Sequence, residues 1–294
     1  MNDTKLHINW YPGHMTKTRR ALEDKLKLID LVIEILDARA PLSSQNPDFD
    51  DLFAGKRRML VLNKADMADE RITKRWLEYF RGQGEYAVAY SAVRGNPRQL
   101  QREIENCAQP IYEKYAAKGR KKTVRALVCG IPNVGKSAIL NRLSGTKKMQ
   151  VGNKPGVTRG LAWAKLTPYL ELLDSPGLLW PKIENEETGA AIALIGSIRL
   201  EVLNEEELAY YLLRKMCAAD PELLMERYKL AEIREDPWEV MADICKKRGF
   251  LLRGGEIDTE RGAHMLLEEF RNAKIGRLSL ELPPDAETAG NEEI

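Results

Sequence analysis

The sequence predicts an α/β domain built on a doubly wound, mostly parallel sheet, followed by a small all-helical domain. Three observations carry this expectation. Short runs rich in Val, Ile and Leu, namely LVIEILDA (31–38), RRMLVLN (57–63), EYAVAYS (85–91) and TVRALVCG (123–130), alternate with helix-like segments near 70–81 and 97–118. Strands apolar on both faces belong in a sheet covered by helices on both sides, and strand–helix alternation makes that sheet parallel. After about Trp180 the texture changes to Glu-rich stretches with apolar stripes: 205–218 (Leu208, Tyr211, Leu212), 237–248 (Val240, Met241, Ile244) and 259–273 (Leu266, Leu267, Phe270). At 294 residues the chain is long enough for two cores. The expected boundaries are 1–184 for the first domain with an N-terminal helix, 185–280 for the helical domain and 281–294 for an acidic tail.

Taken in order, the first element is a helix over 15–29, where Met15, Leu22, Leu26 and Ile29 share a face and Lys17, Arg19, Arg20, Lys25 and Lys27 surround it. A second basic run follows the 97–118 helix: Lys114, Lys118, Arg120, Lys121, Lys122 and Arg125. The totals, 46 Lys+Arg against 44 Asp+Glu, nearly cancel, so any nucleic-acid surface must come from such local clusters. Past Arg277 there are no basic residues, while Glu281, Asp285, Glu287, Glu292 and Glu293 make the end acidic and expected to be disordered. Cys107, Cys129, Cys217 and Cys245 lack paired metal-site spacing and are expected to be reduced, mostly buried thiols. MNDTKLHINWYPGH has no apolar signal core and no segment reaches the ~18 uncharged apolar residues of a membrane span. A cytoplasmic protein is expected.

The chemistry lies in the loops. TVRALVCGIPNVGKS ends a strand at Gly130 and opens a helix at Gly135, the context of a phosphate loop. Its glycines let backbone N–H groups turn towards phosphates, and the helix N-terminus favours anions. Pro132, Asn133, Val134, Gly135, Lys136, Ser137 and Ala138 are therefore assigned to nucleotide binding, with Lys136 on the β and γ phosphates and the Ser137 hydroxyl on magnesium. In LELLDSPGLL, Asp174 is placed to hold magnesium through water and the Gly177 N–H to approach the γ phosphate. PGVTRG supplies Thr158, whose hydroxyl and carbonyl can complete the metal shell.

LVLNKAD (60–66) reads as a base-selecting loop. Guanine shows two neighbouring donors that a single carboxylate, Asp66, can accept, whereas adenine lacks the pair. Asn63 can hold the loop, the Lys64 stem can lie along the ring, and SAVRG (91–95) brings Ser91 and the Ala92 N–H towards the guanine oxygen. The base loop precedes the phosphate loop, the reverse of the usual GTPase order. Contacts rather than connectivity build such a site, so the order points to circular permutation.

These residues resemble the circularly permuted GTPases, most closely the bacterial ribosome biogenesis GTPase A family (YlqF/RbgA). The resemblance covers nearly the whole chain and rests on NWYPGHM (9–15), DARAPLSSQNP (37–47), NKAD, GIPNVGKS, PGVTRG and DSPGLLWPK (174–182). It implies GTP/GDP as ligand, Mg2+ as cofactor, and hydrolysis coupled to late assembly of the large ribosomal subunit, with ribosomal RNA and ribosomal proteins as partners of a monomer. Leu178 stands where many GTPases place a water-positioning glutamine, so slow intrinsic turnover is expected. His14 matches the family's proposed catalytic position, which would join Lys136, Thr158 and Gly177 as catalytic residues; the other reading makes it a loop residue touching RNA or the sheet. Asn133 resembles the asparagine that holds potassium in some GTPases, or it merely shapes the loop. Asp37 and Arg39 match a motif shared by permuted GTPases and read as a structural pair at a strand end. Ala138 departs from the usual hydroxyl residue and removes one possible phosphate contact.

Competing readings are a GTP-gated protein-interaction module with little hydrolysis, a small-subunit assembly GTPase, and a small-molecule kinase. NKAD speaks against the kinase. The small-subunit reading is weakened by the lack of room for an N-terminal barrel and of a C-terminal zinc-ligand cluster.

Overall fold

The computed structural model describes residues 22–23, 25–145, 163–180, 183, 185–198 and 204–284. Of the expected 15–29 helix, these include a short helical stretch in which Leu22 is buried, with Ile29 buried just beyond it. His14, Thr158 and the PGVTRG segment lie outside the described residues.

The first unit holds a six-stranded sheet. In chain order its elements are β1 (Leu31–Asp37), α1 (Asp48–Leu52), β2 (Arg57–Asn63), α2 (Glu70–Gly82), β3 (Tyr86–Ala89), α3 (Pro97–Ala116), β4 (Val124–Cys129), α4 (Lys136–Ser144), β5 (Trp163–Thr167) and β6 (Leu170–Asp174). The spatial order is β3-β2-β1-β4-β6-β5. All neighbours run parallel except β5, which pairs antiparallel with β6 at the edge. All seven residues of β1 are buried, which is why its sequence lacks the polar alternation of a one-sided strand. Helix α2 starts on the Asp69 side chain, which accepts the Ile72 N–H at 2.9 Å, and lays Trp76 and Phe80 into a cluster with Leu36, Leu60, Leu62 and Ala87. Helix α3 starts on Asn96 with Pro97 in its first turn. Residues 281–284 of the expected acidic tail belong to this unit: the Glu281 carboxylate accepts the N–H of Leu42 at 2.9 Å and of Ser43 at 3.1 Å, and the Trp76 indole donates to its carbonyl at 3.2 Å.

Residues 183–280 form a second unit of helices. These are α5 (Glu186–Leu194), α6 (Glu205–Ala219), α7 (Pro221–Tyr228), α8 (Pro237–Arg248) and α9 (Thr259–Arg271). Asn185, Asn204, Asp236 and Asp258 each cap the helix that follows with a side-chain oxygen. Leu208, Leu212, Met216, Leu224, Ile244, Leu266 and Phe270 fill the core. Gly262 lets α9 approach α8 closely, since a Cβ there would collide with the Cys245 sulfur. Arg271 donates to the carbonyls of Ala193 (2.8 Å) and Leu194 (3.1 Å), satisfying the buried C-terminal end of α5. Among the described residues no helix is long and apolar enough to cross a membrane, and no three His, Cys, Asp or Glu side chains converge as a metal cluster.

Candidate active site

In an open parallel sheet, ligands sit where the strand order reverses, outside the carboxyl ends of the strands. Here the reversal falls between β1 and β4. The phosphate loop leaves β4 and the D-x-P-G loop leaves β6, whose ends pair through Val128 and Asp174. The base loop leaves β2 and the SAVRG loop leaves β3, on the other side of β1. Two distant parts of the sequence thus meet at the carboxyl end of the sheet.

The phosphate side is tightly built. Gly130 has φ 140°, and a Cβ there would strike the Ile35 carbonyl. Gly135 has φ 100°, and its missing side chain leaves the space that the Asn63 amide occupies. Lys136 is buried and donates to the Ile131 carbonyl at 2.7 Å. Burial pulls its ammonium down to about 8, against the attraction of Asp174. Burial likewise pushes the Asp174 carboxyl up to about 6, with Lys136 and the Ser175 N–H opposing. A Cβ on Gly177 would lie 2.9 Å from the Pro132 nitrogen and 3.1 Å from Lys136 Nζ, so the D-x-P-G glycine sits against the phosphate loop. Ser137 and Ala138 are half-buried in the first turn of α4, and Asn133 is exposed at φ 62°. Leu178, where a catalytic glutamine was absent from the sequence, is buried; its N–H donates to the Gly130 carbonyl at 3.3 Å.

On the base side, Asn63 is 1% exposed and joins three loops. Its Nδ2 donates to the Val134 carbonyl at 2.7 Å, and its Oδ1 accepts the Ala92 N–H at 3.0 Å. Its own carbonyl accepts the Ala38 N–H at 2.7 Å. The Ala92 N–H assigned to the guanine oxygen is therefore engaged by Asn63, and a bound base must share it. Ser91 Oγ accepts the Arg94 N–H at 3.0 Å, tightening that loop. Asp66 is partly buried, with Arg94 Nε 3.7 Å from its Oδ2. Lys64, at φ 60°, reaches across to the fully buried Asp37, Nζ to Oδ2 at 2.8 Å. Arg39 grips the same carboxylate with Nε at 3.0 Å and a terminal nitrogen at 2.9 Å. These cations outweigh the desolvation that would raise it, holding Asp37 well below the usual carboxylate range.

The comparisons agree with this geometry. A family described as 50S ribosome-binding GTPase matches residues 125–237. The chain is 44% identical over 280 residues to ribosome biogenesis GTPase A of Bacillus cereus, covering 95% of each chain. It is 32% identical to the Thermotoga maritima protein of the same name, again over 95% of each. A crystal structure of GNP-bound YlqF from T. maritima superposes with a TM-score of 0.65 at 29% identity, over 91% of this chain and 99% of that one.

The chain belongs to the ribosome biogenesis GTPase A family. It is a circularly permuted GTPase that binds guanine nucleotide and hydrolyses GTP. For this GTPase two positioning contacts escape the motif reading. Asn46 Nδ2 donates to the Leu178 carbonyl at 3.0 Å, tying the DARAPLSSQNP loop to the D-x-P-G loop, and its N–H donates to buried Glu34 at 3.3 Å. The Lys64–Asp37 pair links the base loop to the same segment. The only sequence signal for either is that Asp37 ends a buried strand and Asn46 lies in the long loop directly after it.

Proposed function

We propose that this GTPase is a late assembly factor for the large ribosomal subunit, which it engages through ribosomal RNA and protein in the GTP state and leaves on hydrolysis. What carries the nucleotide half of this reading is the Asn63 side chain, which ties base loop, phosphate loop and SAVRG loop into one site across the permutation. The names of the full-length relatives supply the ribosomal half.

Asp66 accepts the two guanine donors and Lys64, held by Asp37, lies along the ring. Lys136 exchanges the Ile131 carbonyl for the β and γ phosphates, which favour its charged form. The Gly177 N–H meets the γ phosphate. The residues fit a magnesium ion: Asp174 Oδ1 is buried with no hydrogen-bond partner, and the Ser137 hydroxyl adds a second hard oxygen donor. With Thr158 these would hold the ion, which when bound neutralises developing phosphate charge. Asn133 offers a neutral amide oxygen to a potassium ion at the loop rim. Because Leu178 is apolar and buried, water must be oriented by another group, and His14 is the candidate.

The test is GTP turnover by wild type and His14→Ala, alone and with purified large or small subunits, in potassium and in sodium. Stimulation by the large subunit alone, lost in His14→Ala with binding retained, is expected. Stimulation by neither subunit would leave a GTP-gated interaction module instead, and stimulation by the small subunit would reassign the particle.

A further inference from the structure

The sheet carries a second concave surface at the end opposite the nucleotide loops. It lies where β4 and β6 begin, at the paired residues Val124 and Leu170, between the C-terminal half of α3 and the β5–β6 turn. Its volume is about 390 Å³, and Tyr112, Arg120, Lys121, Lys122, Thr167 and Tyr169 are among its walls. The Tyr112 hydroxyl donates to the Tyr169 carbonyl at 3.0 Å, fixing the turn against the helix. Tyr169 as a whole stays 49% exposed.

The charges divide into two sets. Lys122 pairs with Asp30 at 2.9 Å and lies 5.2 Å from the centre of the Tyr115 ring, while Arg125 pairs with Glu171 at 3.4 Å. These hold the edge together. Arg120 and Lys121 are exposed, just after Gly119 turns the chain at φ 64°. Glu105, the acidic residue among the groove's walls, accepts from the Gln101 amide at 3.1 Å. An exposed ring with cations beside it, in a groove of nucleotide-scale volume, is the arrangement that takes a stacked base and its flanking phosphates.

We propose that this groove binds single-stranded RNA, a base stacking on Tyr169 and the adjoining phosphates resting on Arg120 and Lys121. The proposal rests on the assembly reading for the source of the RNA. An acidic peptide would satisfy the two cations but leave the ring without a flat partner. Strand β6 runs from the groove at Leu170 to Asp174 in the nucleotide site, a span of roughly 13 Å at the usual strand rise, so both sites can be filled together.

The test uses the full-length protein and a fluorescent 12-mer of oligouridylate, with a 12-base-pair RNA duplex as control, by anisotropy across a KCl series. Tyr169→Ala is expected to weaken oligouridylate binding about tenfold at an unchanged salt slope, because stacking carries no counterion release. The pair Arg120→Glu and Lys121→Glu is expected to weaken it at least about tenfold and to flatten the slope by about 1.4, at ~0.7 per phosphate for a single strand. All three positions are remote from the nucleotide loops, so GTP turnover without ribosomes should be unchanged. Unaltered oligouridylate affinity in both variants overturns the proposal, as does preference for the duplex. Variants that lose co-sedimentation with large subunits but keep oligouridylate binding assign the groove to a protein and overturn it too. Wild-type turnover with large subunits is measured in parallel. If it fails to rise, the assembly reading fails on its own, while the oligouridylate result still decides the groove.

Discussion

Asn63→Ala is the sharpest probe of how the permuted halves are joined. The substitution removes an amide that is buried and bonded twice, to the Val134 carbonyl at 2.7 Å and the Ala92 N–H at 3.0 Å. The Val134 carbonyl, left buried and unpaired, costs about 1–3 kcal/mol and the partly buried Ala92 N–H about 1 kcal/mol, so the two together cost about 2–4 kcal/mol. Even the lower figure corresponds to a loss of about 30-fold in an equilibrium constant. The cost divides between nucleotide affinity and the stability of the free protein. Titration with a fluorescent GDP analogue and thermal denaturation without nucleotide measure the two parts. Affinity is expected to fall about 30-fold if the loops are otherwise held, or the melting temperature to fall by several degrees, at roughly 2–4 °C per kcal/mol for a domain of this size, if they are not. Asn63→Asp keeps the acceptor for Ala92 but sets a carboxylate oxygen against the Val134 carbonyl, so it should rescue little. Asn63→Ala with affinity within about threefold of wild type and an unchanged melting temperature would refute the bridging role, since both orphaned groups must then have been cheap.

Further expectations follow from other contacts. Gly177→Ala places a methyl 2.9 Å from the Pro132 nitrogen and 3.1 Å from Lys136 Nζ, and the displaced loop should lower the hydrolysis rate about 100-fold while GDP affinity, measured in the same preparation, changes far less. Asp37→Asn strips Arg39 and Lys64 of a buried counterion. Breaking such a pair costs about 3–5 kcal/mol, and both thermal stability and GDP affinity should drop. Glu34 is fully buried in β1, and burial raises its carboxyl from 4.5 to about 7 despite Arg58 and the Asn46 N–H. The folded state then holds a proton that the unfolded chain releases, so this group's contribution is fully present below 4.5 and lost as pH rises through about 7. Melting temperatures from pH 5 to 8 should show that decline, and Glu34→Gln should flatten it.

Much of this was legible in order along the chain. The buried strands β1, β2 and β4 announced themselves because they carry their apolar residues in runs, whereas β3, expected to be covered on both faces, lies at the sheet edge and buries only Ala87. Helices α2 and α3 begin at the Asp69 and Asn96 caps that local chemistry favours. Edge strand β5 was not predicted: WAKLT is half polar because it has one neighbour and a solvent side. Helices α5 and α7 were missed for different reasons. AAIAL is nearly uniform in hydropathy and shows no stripe, and α7 is only eight residues long. At the site, the motifs identified which loops meet, since glycine and lysine at fixed spacing have few other uses. They did not show that the Ala92 N–H is taken by Asn63, or that Asn46 holds the Leu178 carbonyl. Both are pairings between residues far apart in sequence, and a single sequence has no term for them.

The central position of β1 has a consequence for how the protein is made. The strand pairs along its full length with β2, which follows it closely in the chain, but its other edge waits for β4. A ribosome adding about 5–20 residues per second exposes that open edge for several seconds before Val124–Cys129 can cover it. Over the same interval Asn63 has no Val134 to donate to. The nucleotide pocket is thus completed only when the phosphate loop and then Asp174 have emerged, and a bound guanine nucleotide marks a chain whose first unit has closed its sheet.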